Sequence, residues 1–272
     1  MSKKVSTIIL DWAGTTVDFG CFAPVNAFIK AFEAFGITPT MEETRAPMGM
    51  EKRAHVAKML EGERLATLWV EKHGSAHTEK DVNEIYKKFE PALFKTLTEY
   101  TDPIPGVLAT VLELRKMKIT IGSTTGYTTE MMDIVIPEAK KKGYSPDCVI
   151  CPEDVGRGRP YPYMIWRNLE KLRVMDIREV VKVGDTIADI EEGKNAGCIS
   201  VGVLKGSSML GLSEKEFADT PMVVIKKLLE EAEAKYIKSG ADYVIEDITE
   251  LPELILSINA GVQSCDCYQY LN

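Results

Sequence analysis

Nowhere in the 272 residues does an apolar run approach the ~20 positions that a membrane-spanning helix needs. The opening MSKKVSTIIL passes straight into a strand pattern, without a signal-peptide cleavage region. The expected location is the cytoplasm, with no membrane association. Positive charge is also in short supply. Against 41 Asp and Glu stand 33 Lys and Arg, a formal net charge of -8, so a general nucleic-acid surface is excluded for want of clustered cations to displace counterions. An anionic small molecule would have to be met locally. A double CxxC of the zinc type is missing too. The six cysteines (Cys21, Cys148, Cys151, Cys198, Cys265 and Cys267) are scattered, which fits reduced thiols, several of them serving as small buried apolar residues. Cys265 and Cys267, one residue apart in the tail, leave a metal or redox reading open there. Internal repeats and low-complexity segments are absent, and the stretch 258–272 has no clear period.

What is present is the composition of an ordinary folded protein, 45% apolar and 27% charged. The length suits a core of roughly 180 residues carrying a smaller insert. Short runs rich in Val and Ile at 5–10, 119–122, 148–151, 180–183 and 199–203 read as buried strands. Helical patterns at 128–142, 162–172 and 186–196 follow three of them, with Pro162 opening the second and Gly197 just past the third. This alternation predicts an α/β fold, a doubly wound parallel sheet covered on both faces. Between the first two strands, residues 27–35, 51–60, 64–73 and 81–98 show helical periodicity and no strand, so an insert of four or five helices is expected. Asp102, Pro103, Pro105 and Gly106 then break the pattern, as a hinge returning the chain to the main domain would. The division expected is 1–20 with 101–272 for the α/β core, and 21–100 for a helical cap.

Four segments at strand ends carry the chemistry. In IILDWAGTTVD, Asp11 follows the first apolar run and Gly14 lies three residues on; a carboxylate at the carboxyl end of a parallel strand can attack phosphorus, beside free backbone N–H groups. Taken alone, such an Asp is more often a turn or cap residue. ITIGSTTGYTTEMM places Ser123, Thr124 and Thr125 between a strand and a helix N-terminus, a natural phosphate seat; Thr128 as a plain N-cap is the competing explanation. GRGRPYPYM offers Arg157 and Arg159 as cations for a phosphoryl group, though loop arginines are usually solvated. VVKVGDTIADIEEGKNAG puts Asp185 at a strand end and Asp189 one helical turn later. Such oxygen donors suit magnesium, while an acidic helix start is otherwise a dipole effect.

These four segments, in this order and with an insert between the first and second, resemble the motif set of the haloacid dehalogenase superfamily. The resemblance covers about 3–20 and 101–206. It implies a doubly wound sheet, an Asp11 nucleophile, a mobile cap and Mg2+. Asp11 and Asp185 would then supply carboxylates to the metal, with Asp189 in support and the backbone carbonyl of Ala13 as a further ligand. Thr125 and Gly126 would hold phosphate, and Arg159 takes the place usually held by a lysine.

Ala13 marks a departure. Phosphatases of the superfamily carry a second Asp two residues after the nucleophile, which protonates the leaving alcohol. The insert offers another source of help in APMGMEKRAHVAKML, where Lys52 and His55 share a helical face with Met48 one turn ahead. A lysine amine can condense with an aldehyde, and the resulting iminium draws off the electrons of a breaking phosphorus–carbon bond. For that, Lys52 needs a lowered pKa from desolvation or nearby cations. A helical Lys between Glu51 and Arg53 is otherwise a solvated residue, His55 a surface helix residue, and Tyr127 a packing residue. DWAGTTVDFGCFAP, PMG with Lys52 and His55, GSTTGYTTEMMD, GRPYPYM and KVGDT together resemble the phosphonoacetaldehyde hydrolases. That resemblance implies Lys52 as the Schiff-base lysine, with Met48, His55, Cys21 and Tyr127 around it, phosphonoacetaldehyde as substrate, and a homodimer with the helix after Pro24 as candidate interface. Two alternatives stay open from the residues: a phosphatase or phosphomutase drawing its acid from the cap, and a binding protein without turnover.

Overall fold

A computed structural model of the chain describes residues 4–261. Cys265 and Cys267 therefore lie outside the described residues. Six strands, β1 (Thr7–Leu10), β2 (Thr120–Thr124), β3 (Cys148–Ile150), β4 (Val180–Gly184), β5 (Ile199–Val203) and β6 (Tyr243–Ile245), form one sheet in the order β3-β2-β1-β4-β5-β6. Every pairing is parallel. That order reverses direction between β1 and β4, and ligands of doubly wound sheets bind at such a switch point, outside the carboxyl ends of the strands.

The side-chain alternation of β1 shows why the sheet must be covered twice. Ile8 and Leu10 enter a core cluster with Leu114 and Leu254, whereas Ile9 points the other way and packs with Ile165 and Val180. The first cluster is covered by α6 (Val107–Lys116) and α12 (Leu251–Ala260). The second lies under α8 (Tyr163–Leu172) and α9 (Ile187–Ala196), which pack on each other. The remaining helices of the core are α7 (Thr129–Lys141), α10 (Glu214–Asp219) and α11 (Met222–Lys238).

Between β1 and α6 the chain forms the five α-helices of the insert: α1 (Phe22–Glu33), α2 (Met41–Arg45), α3 (Lys52–Leu60), α4 (Glu63–His73) and α5 (Glu79–Phe94). Phe28 of α1 stacks on Phe89 of α5 with ring centroids 4.1 Å apart, at the centre of the insert. The first turn of α1 is closed from outside the helix, because the Asp18 carboxylate accepts the N–H groups of Phe22 (3.0 Å) and Ala23 (3.1 Å).

Expected and observed elements differ in places with readable causes. The pattern at 81–98 breaks into α5 and a separate 3-10 turn, Leu97–Tyr100. The edge strand β6 has only three residues, two half-buried and one buried, too few to show a period. Residues 258–260, in the stretch that showed no period, complete α12, whose apolar face of Leu251, Leu254, Ile255 and Ile258 lies almost wholly before that stretch.

Candidate active site

A small cavity opens where the rim of the sheet meets the helical insert. Its walls combine Asp11, Ala13, Thr125, Gly126, Tyr127, Arg159 and Thr186 from the core with Met48, Gly49 and Lys52 from the insert and Cys21 at the junction. Chain segments separated by more than a hundred residues thus meet at one point. Of the sequence-derived candidates, His55, Ser123, Thr124, Arg157, Asp185 and Asp189 are not among the lining residues.

Local structure explains how each carboxylate is held. Asp11 leaves β1 with its N–H still donated to Val183 O of β4, at 3.0 Å, which fixes it at the switch point. The loop after it turns so tightly that Gly14 (φ +91°) faces Asp185, and a Cβ there would overlap that carboxylate. Asp185 accepts from Ser208 N (2.8 Å) and Thr15 Oγ1 (3.2 Å). Asp189 is the third residue of α9 and forms a reciprocal capping box with Thr186, so its helix-start role and its place among the carboxylates coexist. Thr128 likewise caps α7, accepting from Met131 N at 3.3 Å.

Asp11, Asp185 and Asp189 each offer an oxygen within 4.8 Å of the others, all three side chains being buried. Burial, with Asp11 and Asp189 close by, pushes the Asp185 carboxyl well above its ordinary range. No cation reaches Asp185 among the described residues, and the donors are oxygens alone. A hard divalent ion fits between Asp11 and Asp185 on those grounds. Asp189 fits less directly: its Oδ1 lies 2.7 Å from Lys182 Nζ and 3.0 Å from Arg159 Nη1, while Oδ2 is engaged by Thr186. Burial pushes the Asp189 carboxyl up, but Arg159 and Lys182 outweigh that and hold it below the usual value.

The two loop arginines part ways. Arg157 stays exposed and lies over the Tyr161 ring, 5.1 Å from its centroid. Arg159 is buried and donates through Nη2 to Asp11 Oδ1 (2.6 Å), Thr124 O (2.9 Å) and Thr124 Oγ1 (2.8 Å), and through Nε to Glu192 Oε2 (2.9 Å). Burial alone would weaken its basicity, yet Asp11, Asp189 and Glu192 more than reverse that.

Lys52 presents the opposite case. It begins α3, is 3% exposed, and its Nζ has no hydrogen-bond or ion-pair partner among the described residues. The amine lies over the Tyr127 ring, 4.9 Å from Nζ to centroid. Burial lowers its pKa, Cys21 and Asp11 work against that, and Arg159 adds to it. His55, one turn along α3, packs behind the cavity wall, stacked on Phe28 at 3.9 Å with Nε2 against Thr44 O at 2.9 Å. It is fully buried, which corrects the surface-residue alternative, and burial holds its imidazole well below the ordinary value.

Two charged residues escaped sequence reasoning. Lys182 sits inside β4 with no exposure, and a lysine in the apolar run VVKVG was a usable signal. Glu192 gave none, because Glu191 beside it is exposed and only the helix phase separates them. Gly49 and Thr186 also line the cavity without having been singled out.

The haloacid dehalogenase-like hydrolase family model matches residues 5–197, and a related model, HAD-hydrolase-like, matches 156–251. The phosphonoacetaldehyde hydrolase of Bacillus cytotoxicus is 49% identical over 93% of this chain and 96% of its own length. A bifunctional phosphonoacetaldehyde hydrolase/aminoethylphosphonate transaminase from Clostridioides difficile is 50% identical over 94% of this chain, which spans 40% of that longer protein. The crystal structure of a phosphonoacetaldehyde hydrolase-like protein from Oleispira antarctica superposes with a TM-score of 0.93 at 35% identity, covering 96% of this chain and 95% of the other.

Proposed function

Because this chain belongs to the haloacid dehalogenase-like hydrolases, and within them to the phosphonoacetaldehyde hydrolases, we propose that it cleaves the phosphorus–carbon bond of phosphonoacetaldehyde through an imine on Lys52 and an aspartyl-phosphate on Asp11. The observation that carries the reading is one cavity in which a buried amine, without a polar partner among the described residues, and a buried carboxylate both reach the wall, with Ala13 where a phosphatase has its acid.

The neutral Lys52 amine adds to the aldehyde carbon, and loss of water with uptake of one proton from solvent leaves a protonated imine. An Asp11 oxygen then attacks phosphorus. As the phosphorus–carbon bond breaks, its electron pair enters the iminium and leaves an enamine on Lys52. Water releases phosphate from Asp11, and protonation and hydrolysis of the enamine return acetaldehyde and the free amine. No acid at residue 13 is needed, because the carbon leaving group is stabilised through the nitrogen. Arg159 meets the charge of the group in transfer, and Thr125 with the Gly126 backbone seats its oxygens. Mg2+ would be held by Asp11, Asp185 and the Ala13 carbonyl, with Asp189 in support, and would supply charge neutralisation for the phosphoryl oxygens. Met48, Cys21 and Tyr127 would enclose the imine, while His55 would support α3 from behind. Residues 21–100 would act as a cap that closes over 1–20 and 101–272, excluding water while the imine forms.

The deciding experiment measures phosphate and acetaldehyde release from phosphonoacetaldehyde with Mg2+, beside a simple phosphate ester. Equal release of both products, lost in Lys52→Arg and in Asp11→Asn, is expected. Ester hydrolysis alone, surviving Lys52→Arg, would overturn the reading in favour of a phosphatase, and silence on every substrate would favour a binding protein. The same proposal places the enzyme in the cytoplasm, where the unpaired Cys21, Cys148, Cys151 and Cys198 would stay reduced, and as a homodimer through the helix after Pro24. Light scattering that returned a monomer mass would remove the dimer.

A further inference from the structure

Glu192 is a carboxylate in an expensive place. It has no exposure, and its Oε1 has no hydrogen-bond partner among the described residues. A buried acceptor left unpaired works against the fold, so its presence asks for another role. Its polar contacts lead to Arg159 of the cavity wall. Oε2 accepts Arg159 Nε at 2.9 Å and the Thr124 hydroxyl at 2.9 Å, and lies 3.6 Å from Lys182 Nζ. Gly193 makes this approach possible: a Cβ there would stand 2.8 Å from Ser200 Oγ and 3.1 Å from Lys182 Cβ, so α9 can lie close on β4 only with glycine next to Glu192.

We propose that Glu192 is a positioning residue for Arg159, locking the guanidinium plane so that its Nη2 edge stays on Asp11 and on the phosphoryl group in transfer. This rests on the function proposed above. A guanidinium is a rigid planar fork, and the contacts of its Nη2 with Asp11 and Thr124 and of its Nη1 with Asp189 hold only its terminal edge. The Glu192 contact at Nε holds the remaining edge and fixes the plane. Thr124 ties the two together, because its hydroxyl donates to Glu192 and accepts from Arg159 Nη2. Lys182 completes the arrangement: with Arg159 it sets two cations against Asp11, Asp189 and Glu192, and its bond to Asp189 Oδ1 leaves Glu192 as the acceptor for Nε. In a transfer that depends on alignment, a guanidinium displaced by an ångström loses much of its effect.

The test uses the full-length enzyme with Mg2+, reading phosphate release and, separately, borohydride trapping of substrate on Lys52. Glu192→Leu should lower kcat about 100-fold and Glu192→Gln, which keeps an acceptor, about tenfold, while trapping on Lys52 stays at the wild-type level. In an Arg159→Lys background, Glu192→Leu should add less than about threefold, because the two residues act as one unit. Additive losses in that background, a wild-type kcat in Glu192→Leu, or trapping lost in step with turnover would each overturn the proposal. Should the Leu variant not fold, a kcat of Glu192→Gln within about twofold of wild type would do the same. A wild type that releases phosphate with no trappable imine would sink the proposed function instead, and would leave the Arg159–Glu192 coupling measurable.

Discussion

The two halves of the cavity handle buried charge in opposite ways. On the core side, Arg159 and Lys182 are surrounded by Asp11, Asp189 and Glu192, and every donor of consequence is spoken for. On the insert side, Lys52 is as deeply buried but faces a ring, a thiol and a thioether rather than a carboxylate partner. Burial is common to both and lowers the basicity of both, so it is not what separates them. Counter-charge decides: it drives Arg159 above its ordinary basicity, while its absence leaves Lys52 below. One side is built to stay charged and hold an anion still, the other to give up a proton and react.

The strongest way to break this contrast is to remove each half in turn. Asp11→Asn and Lys52→Met should each reduce acetaldehyde release by about four orders of magnitude, the scale of losing a nucleophile. They should differ in what survives. Asp11→Asn should still trap substrate on Lys52 with borohydride, whereas Lys52→Met should trap nothing. Loss of trapping in both would mean that the halves do not act separately.

The seam between the halves comes next. A Cβ at Gly126 would stand 2.7 Å from Met50 O and 2.9 Å from Gly49 O, and Gly126 is not in the left-handed region, so Gly126→Ala adds bulk without backbone strain. It should hold the insert off the core and lower kcat/KM by about 100-fold, as a misplacement of an ångström does. An unchanged value would show that the seam need not close this tightly.

A smaller effect is in stability. The folded protein binds the Lys52 proton less tightly than the unfolded chain, so below the unfolded lysine value of about 10.4 this residue works against the fold. The penalty grows as pH falls towards the lowered folded value and is constant below it. Lys52→Met should therefore melt at a higher temperature than wild type at neutral pH, with the difference shrinking as pH rises towards that of free lysine. Calorimetry at several pH values would check it, and a lower melting temperature at neutral pH would count against an uncompensated charge. The least effect is expected outside the cavity. Arg53 and Glu79 pair at the surface, with side chains 38% and 79% exposed, and Arg53→Ala should change unfolding free energy by no more than about 0.5 kcal/mol in a urea titration.

Much of this was legible along the chain. The runs of Val and Ile gave five of the six strands, and the turn and cap residues around Thr186 and Gly197 bounded α9 closely. Asp11 and Arg159 could be singled out because their strand ends and loops have a simple local grammar. Glu192 could not, since its burial depends on the phase of α9 against β4, a matter of one residue in a pair of identical ones. Neither could the fate of His55, whose ring turns into the insert's core against Phe28.

Order along the chain, the period of apolar residues and the chemistry of strand-end side chains are local properties, and the sequence by itself determined them: a parallel sheet, a helical insert, and the inventory of carboxylates, cations and one candidate amine. Which of those groups share a cavity, which carboxylate faces which cation, and whether Lys52 meets water or a wall were decided only by the tertiary structure. Protonation and reactivity depend on desolvation and on partners within a few ångströms. Those partners come from segments far apart in the chain, and their distances exist only once β1, β2, β4 and α3 have been brought together.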